Sequence, residues 1–193
     1  MSAAGKVLTG FSLPYVALYN NGSYTSGQKL ARGVDVTISP ETSDDNIFYA
    51  DNIEAESTAG MFNGGTLDLT VDGLLTAAES LIMGLPAASS SWIAYGDDQD
   101  IPFVGVGFIA RYMSDGETTY VPIVIPKAKF SQIELSAATQ EEEIDWQTQS
   151  LSAQIYRADD ANHTWKFVGT DQATEAAAEA LIKTKLGITT VTT

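Results

Sequence analysis

The chain has 193 residues, of which 44% are hydrophobic and 18% charged, and this composition is typical of one globular domain rather than of a disordered segment. No run reaches the roughly 18 consecutive apolar residues that a membrane span requires, and residues 1–5 lack the charged and then apolar order of a secretory signal, so we expect a soluble chain with no membrane partner. The sequence has no cysteine, which excludes disulfides, zinc ribbons and thiol nucleophiles.

The charge balance is strongly acidic. The chain has 25 acidic and 10 basic residues, a formal net charge of −15 and a pI near 4.1. Such a field repels polyanions, so we do not expect a nucleic-acid grip made of clustered lysine and arginine. Solubility is the simplest consequence of the charge.

The first part of the chain predicts an arm and two strands. Residues 1–13 are small, polar and weakly patterned, which predicts an N-terminal arm that becomes ordered only against another surface. Residues 14–19 have a strand pattern that ends at the turn formers of residues 20–22. A second strand is predicted for residues 29–38, and Pro40 is expected to stop it.

The next part predicts an acidic loop, a strand and a short helix. Residues 41–52 are predicted to form the loop, and residues 66–71, which alternate apolar and polar side chains, a half-buried strand. Thr76 followed by Glu79 is the pattern of a capping box at the start of a helix, and Gly84 is the residue expected at its end.

Residues 101–130 predict a long β-hairpin closed by Asp115 and Gly116, because an Asp-Gly pair between β-rich runs favours a two-residue type I′ turn. This turn fixes the register, since a slip by one residue would scatter the apolar side chains over both faces. The predicted pairs are Ser114 with Glu117, Tyr112 with Thr119, Ala110 with Val121, Phe108 with Ile123 and Val106 with Ile125. Pro122 lacks an N–H, so the outer side of the second strand should be an edge or a break at that position.

The last part predicts a strand and a second helix. Apolar residues switch from even to odd positions between residues 144 and 155, which predicts a bulge near residues 148–150. Residues 171–187 are predicted to form a C-terminal helix that Asp171 caps, followed by a β-prone tail over residues 188–193. With about ten strands, the fold class is mostly β: one domain over residues 1–193, an antiparallel β-sandwich or barrel with a short helix and a flanking C-terminal helix.

Catalytic and metal-binding patterns are weak, and we expect no catalytic, cofactor or metal site. The one histidine, His163, lies in a polar turn with no second histidine or cysteine to work with. Carboxylates occur at Asp97, Asp98 and Asp100 and in residues 141–143, where a glycosidase pair or a calcium loop would need them close together. The calcium-loop pattern is not matched, and consecutive glutamates point in different directions, which favours solvated loops.

Four aromatic residues leave a second class of function open. Side chains of this kind can stack on a sugar ring, although in strands they are more often core residues or cross-strand partners. A carbohydrate-binding β-sandwich module is therefore an alternative, and a glycoside hydrolase that uses the carboxylates is a weaker one. The four aromatic residues are Trp92, Tyr95, Trp146 and Trp165.

Several stretches, in matching order between residues 29 and 168, resemble the major tail tube proteins of long, non-contractile-tailed bacteriophages, in particular the phi-thirteen-type group. These stretches are VDVTISP at residues 34–40, Asp51-Asn52 before GGTLDLTVDGL, FVGVGFIARY at residues 103–112 and PKAKF at residues 126–130, followed by EEEIDWQTQSLSAQIYR. The resemblance implies a β-sandwich subunit whose hexameric rings stack into a hollow tube for DNA passage during ejection into the host.

The resemblance also implies partners and interface regions. The partners would be further copies of the chain and the tape-measure, tail-terminator and distal-tail proteins. The chain would be assembled in the host cytoplasm and reside in the phage tail of the virion, and viral DNA would pass through the lumen without specific binding. The family's inter-ring loop would correspond to part of residues 41–52, and its arms to residues 1–13 and 188–193. Together with the predicted edge, this gives the candidate interface residues Glu41, Asp44, Asp45, Phe48, Tyr49, Asp51, Asn52 and Pro122.

Overall fold

A computed structural model describes residues 5–44, 46–50, 53–58, 60–86, 92–97, 99–139 and 146–188. Within these residues the chain forms ten strands and two helices. In chain order they are β1 (Val7–Asn20), β2 (Ser23–Lys29), β3 (Gly33–Thr42), β4 (Asn46–Ala50), β5 (Ile53–Thr58), β6 (Phe62–Val71), α1 (Thr76–Met83), β7 (Val104–Ser114), β8 (Glu117–Phe130), β9 (Gln149–Ile155), β10 (Phe167–Val168) and α2 (Glu175–Lys185).

Eight of these strands form one antiparallel sheet in the order β2-β1-β7-β8-β9-β6-β3, with β10 paired to β8. Among the described residues, the strands β4 and β5 pair only with each other and form a separate two-stranded hairpin. The mostly-β prediction with a short helix and a C-terminal helix is therefore confirmed.

The β7–β8 hairpin has the predicted register in all five pairs. Asp115 and Gly116 have φ angles of 51° and 82°, and a type I′ turn requires a positive φ at both positions. The register turns Val106, Phe108 and Ile125 into the core, where all three are buried. A local turn preference and the alternation of apolar residues thus select the same pairing.

The main core lies on one face of the sheet. The alternating apolar residues of β6 and β9 are buried there, as their sequence pattern predicts, and the buried residues of α1 belong to the same cluster. The buried residues of β6 and β9 are Leu67, Leu69, Val71, Leu151, Ala153 and Ile155.

The helix α2 packs on the opposite face, over β1, β7 and β8. Its buried residues are Ala178 and Ile182, and Leu186 follows directly after the helix. Gly105 and Gly107 make room for this layer, because a Cβ atom added at Gly107 would lie 2.5 Å from Ile182 Cγ2 and one at Gly105 would meet the Tyr24 ring. A glycine inside a strand often marks such a close approach of another element.

We expect Gly107→Ala to destabilise the fold by about 1 to 3 kcal/mol, because the new methyl group must push α2 away from the sheet. Gly64→Ala is the matched control, since its Cβ would come no closer than 3.8 Å to Ile155 O. Urea unfolding of both variants measures the difference. Equal stability of the two variants would contradict this packing of α2.

A polar network also attaches α2 to the sheet. The Tyr15 hydroxyl donates to the Glu179 carboxylate, and Lys183 Nζ lies 2.7 Å from Glu179 Oε1. The hydrogen bond from Lys183 lowers the pKa of Glu179, and burial raises the pKa of Tyr15.

Acid should loosen this attachment. The pKa of Glu179 is lower in the folded chain than in the unfolded chain, so its contribution to stability is present above the unfolded value and is lost as the pH falls through the folded value. We expect amide exchange of α2 to accelerate below about pH 4 before the β7–β8 hairpin opens. In Glu179→Gln this acid-dependent step should be smaller, and an unchanged step would show that another group causes it.

The N-terminal arm predicted for residues 1–13 is wrong for residues 7–13, which belong to β1. Residues 7–12 pair with β7, from Val7 opposite Met113 to Ser12 opposite Ile109. The backbone of this segment pairs with an edge of β7 that would otherwise be open. Residues 1–4 lie outside the described residues.

The strand predicted for residues 29–38 is also wrong. Lys29 ends β2 and Gly33 starts β3, and the chain crosses between the two ends of the sheet through residues 30–32. Leu30 is buried in this connection, and its N–H donates to Pro14 O at 2.9 Å. Pro40 does not stop β3, because β3 is a terminal strand where a missing N–H is tolerated.

The loop predicted for residues 41–52 is mostly strand. The strand β3 continues through Thr42, and β4 begins at Asn46. Asp45, Asp51 and Asn52 lie outside the described residues. The β-favouring residues of β4 outweigh the acidic residues before them.

The helix ends differ from the capping predictions. Leu75 occupies the N-cap of α1 without a side-chain hydrogen bond, so the capping box at Thr76 is wrong, while Gly84 ends the helix with the expected positive φ of 63°. The helix α2 begins at Glu175 rather than after Asp171, because the Thr174 hydroxyl accepts a hydrogen bond from Ala177 N. The tail over residues 189–193 lies outside the described residues.

The bulge predicted near residues 148–150 is wrong. The strand β9 starts at Gln149, so the even positions before it and the odd positions within it belong to different segments. Trp146 is 84% exposed and does not face the core. Residues 140–145 lie outside the described residues.

Candidate assembly surfaces

The outward side of β3, β6 and β9 forms a polar surface. The opposite side of these strands carries core residues, so every second side chain points away from the core. The register places nine such side chains in three rows: Asp35, Thr70 and Ser150; Thr37, Asp68 and Ser152; Ser39, Thr66 and Gln154. We call these nine residues the hydroxyl face; each is exposed or half-buried.

The chemistry of the hydroxyl face disfavours binding of a polyanion. It offers six hydroxyl groups, two carboxylates and one amide, but no cation and no aromatic ring. The carboxylates of Asp35 and Asp68 repel phosphate groups, and there is no lysine or arginine to release counterions from a nucleic acid. Without an aromatic ring, bases have no platform on which to stack.

A basic and aromatic cluster borders the hydroxyl face on β8, where Lys129 lies opposite Gln154. Lys127 Nζ is 2.9 Å from Asp159 Oδ2 and 4.8 Å from the centroid of the Phe103 ring, and the hydrogen bond from Lys127 lowers the pKa of Asp159. Our sequence reasoning missed this cluster. The alternation in PKAKF was the available signal, because residues two apart in a strand lie on the same face.

The two ends of the large sheet differ in charge. The strand β2 forms one end and β3 the other. The strand β2 carries Lys29 and no acidic residue, whereas β3 carries Asp35 and Glu41 and no lysine or arginine. A second copy of the chain could therefore place a cation-bearing edge next to an acidic edge, and such a contact between two different surfaces produces a ring or a filament.

Two of the candidate interface residues are exposed, and two lie in the separate hairpin. Glu41 lies on the terminal strand β3, Asp44 follows it, and both are exposed. Phe48 and Tyr49 are part of β4. The hairpin thus starts next to the acidic end of β3, and the assignment of these residues to an interface stays a prediction.

Pro122 is buried within the chain. Its carbonyl oxygen accepts a hydrogen bond from Gly169 N at 2.8 Å, and β10 pairs with Val124 and Ile123 beside it. The outer side of β8 is therefore covered here and is not a free edge. Pairing does break at Pro122, since it resumes only as an isolated bridge between Tyr120 and Gln172.

The candidate catalytic residues do not form a constellation in the described part of the chain. His163 lies in a turn with a φ angle of 50°, and its N–H donates to Asp160 O at 3.0 Å. A backbone hydrogen bond from Thr164 lowers the pKa of Asp160. Among the residues that the structure describes, no three histidine, aspartate or glutamate side chains group as metal ligands, and Asp98 and residues 141–143 lie outside them.

The four candidate aromatic residues have different surroundings. Trp92 is 81% exposed, and the Tyr95 hydroxyl donates to Glu79 at 2.5 Å, so that burial and this bond raise the pKa of Tyr95 to about 12. Trp165 stacks on Phe62 with 4.5 Å between ring centroids, which occupies one face of its ring. Trp146 is exposed before β9, so the rings do not share one packing environment.

Neither the models of known protein families nor the curated proteins contain a match to this chain. Of the two helices in the part of the chain that the structure describes, neither has the length and apolar character needed to cross a membrane.

Proposed function

We propose that this chain is a structural virion protein, the repeating subunit of a phage tail tube, with no enzymatic activity. Identical copies would form hexameric rings, and stacked rings would enclose a conduit for DNA. The order of stretches that resemble the major tail tube proteins supports this function, and so does the mostly-β fold.

The hydroxyl face is the observation that carries the proposal. A conduit wall must let a polyanion slide, which requires repulsion of phosphates and the absence of stacking or cationic contacts. The three strands of the hydroxyl face meet these requirements, and the face extends to the terminal strand β3. In the proposed ring the hydroxyl face points into the lumen. The hydroxyl faces of neighbouring copies together form the wall of the conduit.

Ring closure would use the two different ends of the sheet. When the β2 end of one copy contacts the β3 end of the next, the resulting pair still has one free β2 end and one free β3 end. Further copies can therefore add in the same way until the ring closes. The tape-measure, tail-terminator and distal-tail proteins would occupy or bound the finished tube. The subunit would assemble in the host cytoplasm and remain in the virion.

Negative-stain electron microscopy of the concentrated, purified protein tests this function. We expect rings or hollow tubes, and their number should rise steeply with protein concentration. Monodisperse monomers at every concentration would reject the proposal. The same images give the symmetry of each ring directly.

The alternative is a carbohydrate-binding module, favoured by the exposed rings of Trp92 and Trp146. A glycan array and titration calorimetry test it on the same monomer preparation. Binding that Trp92→Ala abolishes, without any ring formation, would support this alternative over the tube subunit.

A further inference from the structure

The first half of β1 differs from the rest of the strand. Residues 7–12, which we call the N-terminal segment, pair with β7 on one side, whereas β2 pairs with β1 only from Tyr15 onward. Two register shifts interrupt the pairing with β7, one between Leu8 and Gly10 and one between Ser12 and Tyr15. The segment is therefore an edge strand joined to β1 through an irregular connection.

That connection is strained. Leu13 has a φ angle of 51°, in the left-handed region that disfavours residues with a Cβ atom, and it is followed by Pro14. Leucine is not one of the residues that tolerate this region well, in contrast to Asn21 and Asp115 in the turns. The strain disappears if the chain straightens at Leu13, and this would carry the N-terminal segment away from its own β7.

Few side chains hold the segment in place. The Phe11 ring lies over Gly33, where an added Cβ atom would strike it, and packs edge-on against Phe108 with centroids 5.4 Å apart. Val7 and Leu8 are 64% and 60% exposed. An apolar groove of about 350 Å³, lined by Leu8 and Phe11 together with residues of β3, β7 and β8, stays open beside them.

The polar contacts of the segment all lie on the surface or at its margin. Ser12 donates to Glu175, and Lys6 pairs with Asp171, both at the start of α2 or just before it. The Thr9 hydroxyl donates to the Arg111 carbonyl oxygen at 3.2 Å. The exposed ion pair between Lys6 and Asp171 contributes little to stability, so its release is not costly, whereas the part-buried bond from Ser12 has to form again in any other arrangement.

We propose that the N-terminal segment exchanges between copies of this chain, so that in the assembled state residues 7–12 pair with β7 of a neighbouring copy. Every copy carries the same receptor surface, namely β7, Gly33, Phe108 and the groove beside them, so the exchanged segment regains each contact it has lost. The gain on exchange is the relief of strain at Leu13. The proposal rests on the proposed self-assembly and adds the contact that links one subunit to the next.

A pair of cysteines decides whether the segment exchanges. Val7 lies opposite Met113 on β7, and the chain has no cysteine of its own, so Val7→Cys/Met113→Cys introduces one possible disulfide between facing strand positions. The monomer and the assembled fractions are oxidised separately and run on a denaturing gel without reducing agent. We expect an intrachain bond in the monomer fraction and a ladder of covalent multimers in the assembled fraction.

The matched control is Met113→Cys/Thr118→Cys, across the β7–β8 hairpin. This pair cannot exchange, because a two-residue turn joins its strands, so it should give single-chain bands in both fractions. If microscopy shows intact rings but Val7→Cys/Met113→Cys gives only single-chain bands or free thiols, the exchange is wrong. This result would not contradict the proposed tube function. If neither variant nor the unmodified chain forms rings, both proposals fail.

A second pair of variants tests the strain at Leu13. Leu13→Gly and Leu13→Ala remove the same apolar contacts, but only glycine adopts the left-handed conformation freely. If strain drives exchange, Leu13→Gly should need about five- to thirtyfold more protein than Leu13→Ala to form rings. Equal critical concentrations would remove strain at Leu13 as the driving force.

Discussion

Deletion of residues 45–59 is expected to leave a folded subunit that no longer forms stacked tubes. The deletion removes the β4–β5 hairpin, which makes no strand pair with the large sheet in the part of the chain that the structure describes. A two-stranded hairpin is marginally stable alone in water, so we expect contact with another surface to stabilise it, and in the proposed tube the next ring provides that surface.

The structure offers a clean junction for this deletion. Ser43 N donates to Met61 O at 2.8 Å, and Met61 N donates to Ser43 Oγ at 3.0 Å, so the chain ends that must be joined are already held together. Joining Asp44 to Gly60 creates an Asp-Gly pair between these two residues, the preferred sequence for a two-residue turn. We expect the free energy of unfolding to change by less than about 1 kcal/mol.

Microscopy and analytical ultracentrifugation of the deletion variant measure the effect on assembly. Glu54→Gln/Glu56→Gln keeps the hairpin and removes two of its charges, so it separates loss of the hairpin from loss of charge. Tubes of normal length and number from the deletion variant would refute a role of the β4–β5 hairpin in stacking. Single rings without tubes would support it most directly.

Local signals predicted the centre of the fold well. The register of β7 and β8 follows from the turn at Asp115 and Gly116 and from alternation alone, and both signals lie within the hairpin. The pairing of residues 7–12 with β7 does not follow from local signals, because the paired residues are about a hundred positions apart in the chain and the segment has a weak apolar pattern. This pairing forms because one edge of β7 is free in the folded sheet, and a free strand edge cannot be identified from the sequence alone.

The hydroxyl face could be predicted only in part. Alternation identifies Asp35 and Asp68 as outward positions, since their neighbours in β3 and β6 are apolar. Their place beside the serines of β9 depends on the pairing of β6 with β9, which brings together residues from distant parts of the chain. The apolar residues switch from even to odd positions before β9, and this switch predicted a bulge. In the structure the strand simply begins later, at Gln149.

Reversal of charge on the hydroxyl face is expected to turn a tube that lets DNA pass into one that holds it. Asp68→Lys replaces an exposed carboxylate on β6 that forms no ion pair among the described residues, so the subunit should still fold and assemble. In the proposed ring this lysine would line the lumen from every subunit. Short duplex DNA present during assembly should then remain with the tubes at low salt.

The salt dependence of retention distinguishes DNA that is bound by lysines in the lumen from DNA that is only enclosed in the tube. DNA held by lysine–phosphate contacts should be released as salt rises, with an affinity loss on the order of a thousandfold or more between about 50 and about 200 mM salt. Glu117→Lys changes the net charge equally but places its lysine at the β7–β8 turn. Because this position lies off the hydroxyl face, tubes of this variant should retain DNA no better than unmodified tubes. Equal retention by the two charge variants, or none by Asp68→Lys, would mean that the hydroxyl face does not line the conduit.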